Sequence, residues 1–230
     1  TVAGLDIGGP SSAGYIEYTI TNCQFTGNEA LVDCGALELW AESPAKLAVE
    51  GCYFEENKAG NSAGALLVYM NSPNASATLS NCILENNSSP FGAAVATYPF
   101  TVSSNNDSVT FVNCLFTGNS GDGATIATTE SGNVILLNCT VAGNPAGGLL
   151  LDGNSSFAMQ NTIFYNPDKA EYQSVSGSPD LSSLGGNLIR DNSMNGLLGT
   201  ADLENENPLF TGIAPHPFQL GQGSPAINKG

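Results

Sequence analysis

Positive charge is what this sequence most lacks. Its 230 residues carry 5 Lys and Arg against 21 Asp and Glu, a formal net charge of −16. That excess of acid repels phosphate backbones and anionic headgroups, so nucleic acid and anionic membrane surfaces are excluded as partners. It also disfavours acidic polysaccharides unless a cation bridges them. Histidine is nearly absent. With His216 alone and no Cys-x-x-Cys, no zinc site is expected. No apolar run approaches the roughly 20 residues that cross a bilayer, so no membrane insertion is expected of this segment. No leader is recognisable: Thr1 opens directly into Gly- and Ser-rich sequence, as in a mature or excised piece of something larger. Charged residues are only 11% of the chain and hydrophobic ones 41%, which supplies a core and argues against wholesale disorder.

What is present is a repeat. The motif Asn-Cys-x-Phe-x-x-Asn begins at Asn22-Cys23 and recurs at Gly51-Cys52, Asn81-Cys82, Asn113-Cys114 and Asn138-Cys139, with a shorter copy at Asn161-Thr162. A Gly-Ala-Leu motif follows each: Gly35-Ala36-Leu37, Gly64-Ala65-Leu66, Gly92-Ala93-Ala94, Gly123-Ala124-Thr125 and Gly147-Gly148-Leu149. An apolar column precedes the Cys position by three: Ile20, Val49, Leu79, Phe111, Leu136 and Met159. Three short period-2 strands per repeat, separated by Gly and Asn, predict a single-stranded right-handed parallel β-helix of about six to eight coils. Residues 1–205 form the helix on this reading, and 206–230 a closing segment of the same domain.

Parity locates the bends. Strand side chains alternate faces, so two columns three residues apart both point inward only if the chain turns between them. Asn22, Asn81, Asn113, Asn138 and Asn161 stand at that turn, and Asn tolerates the left-handed conformation. Asn28, Asn57, Asn87, Asn119, Asn144 and Asn166 are expected to form a ladder at the next corner. Stacked coils about 4.8 Å apart put the column cysteines too far from one another for disulfides. They read as buried free thiols. Cys34 lies outside the column; it is the candidate reactive thiol, with a buried structural role as the plainer reading. Sequons begin at Asn74, Asn86, Asn87, Asn106, Asn138 and Asn154, and matter only in a eukaryotic source.

The Phe-x-x-Asn and Gly-Ala-Leu pairing resembles the repeats of polymorphic outer-membrane proteins and related bacterial β-helix surface proteins, over Thr19 to Asn166. The segments Gly186-Asn187-Leu188-Ile189-Arg190-Asp191-Asn192, Asn207-Pro208-Leu209-Phe210 and Gly223-Ser224-Pro225-Ala226-Ile227-Asn228-Lys229-Gly230 resemble the ending of secreted choice-of-anchor β-helix proteins. The resemblance implies export and display, extracellular or at the cell surface. It also implies that Asn187-Leu188-Ile189 adds a coil and that Gly223 to Ile227 closes the open end.

Several faces compete for function. If Leu37 and Leu39 point inward, Glu38 and Trp40 point outward, and Leu67 and Tyr69 take their places in the next coil. Trp40 over Tyr69, flanked by Glu38 and Glu42, could stack on sugar rings and accept hydroxyl hydrogen bonds; the plain alternative is that a loop covers them. Val95, Ile126 and Leu150 are read as an apolar outward stripe suited to assembly. Glu55 and Glu85 fall in one outward column of adjacent coils, a carboxylate pair of the kind a glycoside hydrolase needs, or two solvated surface acids. A lyase would want a basic proton abstractor beside calcium ligands, and Lys46, Lys58, Lys169, Arg190 and Lys229 stand beside no evident acidic cluster. No cofactor is expected, calcium being the one ion the acids could hold. Thr19, Thr21, Thr78, Ser80 and Thr110 form an outward array like an ice-binding face, interrupted by Ala48, Glu50, Val112, Ile135 and Leu137. The leading expectation is a non-enzymatic surface protein, an adhesin or carbohydrate-contacting module whose partner is a polysaccharide or surface protein. A polysaccharide lyase or hydrolase is the alternative, and an ice-binding protein the minor one.

Overall fold

A computed structural model describes residues 4–9, 15–41, 44–70, 72, 74–99 and 107–228. Among them the strands make three long parallel sheets, one strand per coil in each. Sheet A runs from Leu5–Gly9 through Leu37–Ala41, Leu66–Met70, Val95–Pro99, Ile126–Thr128 and Leu149–Leu151 to Tyr172–Ser174. Sheet B runs from Ile16–Thr21 to Asp180–Ser183, and sheet C from the three-residue strand Gln24–Thr26 to Leu203–Glu204. The architecture is the parallel β-helix expected from the repeat.

The inward columns fill one continuous core. Val49, Leu79, Phe111, Leu136 and Met159 stack on sheet B, and Phe54, Leu84, Phe116, Val141 and Phe164 face them from sheet C. Sheet A contributes Leu37, Leu66, Val95, Ile126 and Leu149. Val95 and Ile126 are therefore core residues and not part of an outward stripe. The expectation is one residue off because Gly92 holds the left-handed place that Cys34 and Ala63 take in the preceding coils, φ 63° against 56° and 59°, and not the place of Gly64, so that Ala94, not Ala93, stands at the Ala65 position. A one-residue slip moves every side chain to the opposite face. The true outward column is Glu38, Leu67, Ala96, Ala127 and Leu150.

Two bends frame each strand of sheet C. Asn22, Asn81, Asn113, Asn138 and Asn161 take φ between 50° and 56°, and Gly51 stands in for Asn at φ 62°. At the second bend the Asn ladder forms. Asn57 donates its backbone N–H and its amide Nδ2 to Asn87 Oδ1, at 3.1 and 3.0 Å, and Asn87 does the same to Asn119 at 3.0 Å. Each Nδ2 also reaches a carbonyl of the preceding coil, as Asn87 does to Phe54 at 3.0 Å. All amides point one way, so the last of them needs an acceptor beyond it. Buried Glu171 supplies both oxygens to Asn166, at 2.6 Å each, and is itself held by Arg190 Nε at 2.9 Å.

The thiol column has the same economy. Cys114 Sγ lies 3.4 Å from the Val112 carbonyl and 3.5 Å from Leu79 in the preceding coil, and Cys139 repeats this with Leu137 and Phe111. Thr162 occupies the sixth place with its hydroxyl on the equivalent carbonyls of Gln160 and Leu136. All six cysteines are free; Cys34 is buried and Cys23 is exposed. Burial, then Glu38, pushes the Cys34 thiol up to about 12, which disfavours it as a nucleophile, and the exposed thiol is Cys23.

At the C-terminal end of the core, Met194 is buried in it and Leu198 packs against it. Residues 209–221 then form a hairpin, Thr211 N–H to Gln219 at 2.8 Å and Gly221 N–H to Leu209 at 2.8 Å. It lies on the outer face of sheet C, with Phe210 edge-on to Tyr165 and to Phe218 at ring distances of 6.0 and 5.3 Å.

Candidate functional site

The outer face of sheet A carries an aromatic row. In-register pairing sets Trp40 beside Tyr69 and Tyr69 beside Tyr98, with ring centroids 4.7 and 5.3 Å apart, and Phe91 closes the row against Tyr98 at 5.8 Å. All four rings are half-buried. Gly8 pairs opposite Trp40, so its strand places no side chain on that side of the indole. The sequence brought Trp40 and Tyr69 together; it missed Tyr98 and Phe91. Tyr98 follows Tyr69 at the interval by which Tyr69 follows Trp40, and that equality was the available signal.

Beneath the row the chain folds over itself. Residues around Cys34, Ala63 and Phe91 pack on Leu67 and Ala96, so this part of the outward column is covered. Ala124, Ala127 and Leu150 form a second covered cluster against Phe91. Glu38 is buried next to Asp6, its register partner. Burial first, then Asp6 and Asp33, holds its carboxyl above the usual range. Asp33 accepts hydrogen bonds from Asn61 and Ser62 at 2.8 Å each. Burial and Asp33 push the Tyr69 phenol up to about 12. Glu42 lies outside the described residues. The row is thus a set of half-buried aromatic rings on the outer face, suited to apolar contact.

The acidic pair lies elsewhere, on the outer face of sheet C. Glu55 and Glu85 are register partners in adjacent coils. The Tyr53 hydroxyl donates to Glu85, and burial followed by the two carboxylates raises its phenol well above the usual range. Of the basic residues, Arg190 is held by Glu171 and Asp191, and Lys58 pairs with Glu29 at 3.1 Å on the surface. Among the described residues no three His, Cys, Asp or Glu side chains gather to hold a metal ion. The Thr array on sheet B is outward, Thr19, Thr78 and Thr110 sharing a column with Ala48 and Ile135.

A family model of the right handed beta helix region matches residues 99–224, more than half of the chain. The chain belongs to that family. Its helix is accordingly right-handed. No curated protein matches, and no solved structure matches. Among the described residues no helix is long and apolar enough to cross a membrane.

Proposed function

We propose that this β-helix is a non-enzymatic extracellular or cell-surface module that contacts carbohydrate through the outer face of sheet A. The observation that carries the reading is the half-buried row Trp40–Tyr69–Tyr98, stacked at 4.7 and 5.3 Å. Aromatic rings present apolar faces and edges to sugar C–H groups, while nearby carboxylates accept from hydroxyls. Membership of the β-helix family is compatible with such a role, and the likeness of the repeats and tail to secreted surface proteins supports display outside the cell. A net charge of −16 points to neutral partners.

Retention on immobilised neutral polysaccharides tests it. Trp40→Ala is expected to weaken retention at least tenfold, the scale of one lost aromatic contact of about 1.5 kcal/mol. Unchanged retention would sink the site. A second reading, polysaccharide cleavage, rests on Glu55 and Glu85 being register partners. It requires new reducing ends from some polysaccharide, and their loss in Glu55→Gln and Glu85→Gln.

A further inference from the structure

The hairpin of residues 209–221 does more than cover sheet C. Between its tip and the sheet runs a groove of about 770 Å³. One wall is Pro215 to Gln219; the floor is the outward face of four successive coils, with Tyr53, Ile83, Leu115 and Thr140 in one column. Along that floor the chemistry repeats with the coils. Asn81, Asn113 and Asn138 present exposed amides, with Asn113 Nδ2 on Asn81 Oδ1 at 3.3 Å. Ile83 and Leu115 form an apolar strip beside them, and Glu85 with its Tyr53 partner closes the far side. Among the described residues no Lys or Arg lines the groove, and His216 is the one titratable base on its wall.

We infer that this groove is a second binding site, taking a neutral polysaccharide chain laid along the helix axis. Four features of the groove select that ligand. The walls offer amides, hydroxyls, one carboxylate and the imidazole of His216, which donate to and accept from hydroxyls, but no Lys or Arg to pair with the repeated charges of an acidic chain. Phe218, Ile83 and Leu115 offer the apolar surface that sugar rings cover. The floor repeats about every 4.8 Å, close to the length of one sugar unit; an extended peptide advances about 3.3 Å per residue and falls out of step with it. The wall is built rather than loose, since Phe218 is fixed by Phe210 and packs over Gly143, where a Cβ would come within 3.5 Å of its ring.

Affinity electrophoresis of the whole chain through gels containing a soluble β-glucan, a galactomannan or polygalacturonate tests the groove. Retardation by a neutral polymer and not by polygalacturonate is expected. Phe218→Ala should reduce it at least tenfold. Because that change could release the hairpin, Asn113→Gly provides a second probe: it keeps the left-handed bend at φ 53° and removes only the amide. It should weaken retardation severalfold with unchanged circular dichroism. With the sheet A face silenced by Trp40→Ala, retardation that survives both groove substitutions overturns the site, as does equal or tighter binding of polygalacturonate. If Trp40→Ala alone abolishes all retardation, the groove is overturned while the sheet A reading stands; if only the groove variants lose it, the reverse holds.

Discussion

At the scale of single residues, position in the stack decides chemistry more than residue type does. The thiols of Cys52, Cys82, Cys114 and Cys139 share one column and are buried in the core, while Cys23 at the end of that column is exposed. An accessibility-controlled reagent such as a disulfide dye should therefore modify one thiol per native chain quickly and the other five only on unfolding. Rapid reaction of two or more would mean the column opens. Glu38 gives a pH signature. In the folded protein its carboxyl sits above the usual range, while in the unfolded chain it ionises at the ordinary value. Between those two values the folded state holds the proton more tightly, so stability falls as pH rises through that interval, and the ionised group remains a burden above it. Glu38→Gln should match the wild type in Tm below the carboxylate range and exceed it at pH 7. A Tm difference that stays flat across that interval would show that Glu38 is not buried as described. Asn at the bends was legible because its left-handed tolerance is a property of the residue itself. The burial of Val95 and Ile126 was missed because Gly92 marks the left-handed place of Cys34 and Ala63 rather than that of Gly64, and aligning the motif on its glycine reverses the faces; the signal was there, since Val95 follows Leu66 at the interval by which Leu66 follows Leu37.

At the scale of elements, polar ladders rather than strand propensity tie the coils in register. Sheet C strands are three residues long or shorter, too short to specify pairing alone. The Asn ladder beside them satisfies a backbone N–H, an amide and a carbonyl in every coil. Asn119 shows what one rung contributes: its oxygen accepts from both nitrogens of Asn87, and its nitrogens reach Asn144 and Leu84. Asn119→Ala leaves several of these groups buried without partners, at about 1–3 kcal/mol each. Chemical denaturation should show a loss of about 3 kcal/mol or more, and a clearly smaller loss for Asn28→Ala, whose side chain is only partly buried. Equal losses would argue that the rungs act independently of depth. The ladder was readable from the repeated Asn. Its terminator was not, because Glu171 follows Asn166 outside the repeat and meets Arg190 only through folding.

At the scale of the whole molecule, a solenoid lets its ends behave differently from its middle. Each coil touches only its neighbours, so stability is a sum of local terms and need not be uniform. Among the described residues Leu5–Gly9 pairs on one side only, with Leu37–Ala41, whereas central strands pair on both. The opposite end is reinforced: Met194 sits in the core, Leu198 packs on it, and the hairpin of residues 209–221 braces sheet C through Phe210 and Phe218. The same hairpin that braces the fold also walls the groove, so the coil stack supplies a repeating floor and the tail supplies the specificity of shape. The repeat disclosed the stack from sequence alone, and the resemblance of the tail placed the added coil at Leu188–Ile189; the hairpin of residues 209–221 could not be read, since no periodicity governs it. Hydrogen exchange should be asymmetric as a result. Amides of Leu79, Phe111 and Phe116 should exchange last, through near-global opening, and those of Ile7 and Ile20 first, with Phe164 and Ile189 nearer the slow group than the fast one. Phe210→Ala should shift Phe164 and Ile189 toward the fast group and leave Ile20 where it was. A profile in which all these amides exchange together, and shift together in the variant, would mean that the helix opens as one cooperative unit and that the tail stabilises the whole stack rather than its end.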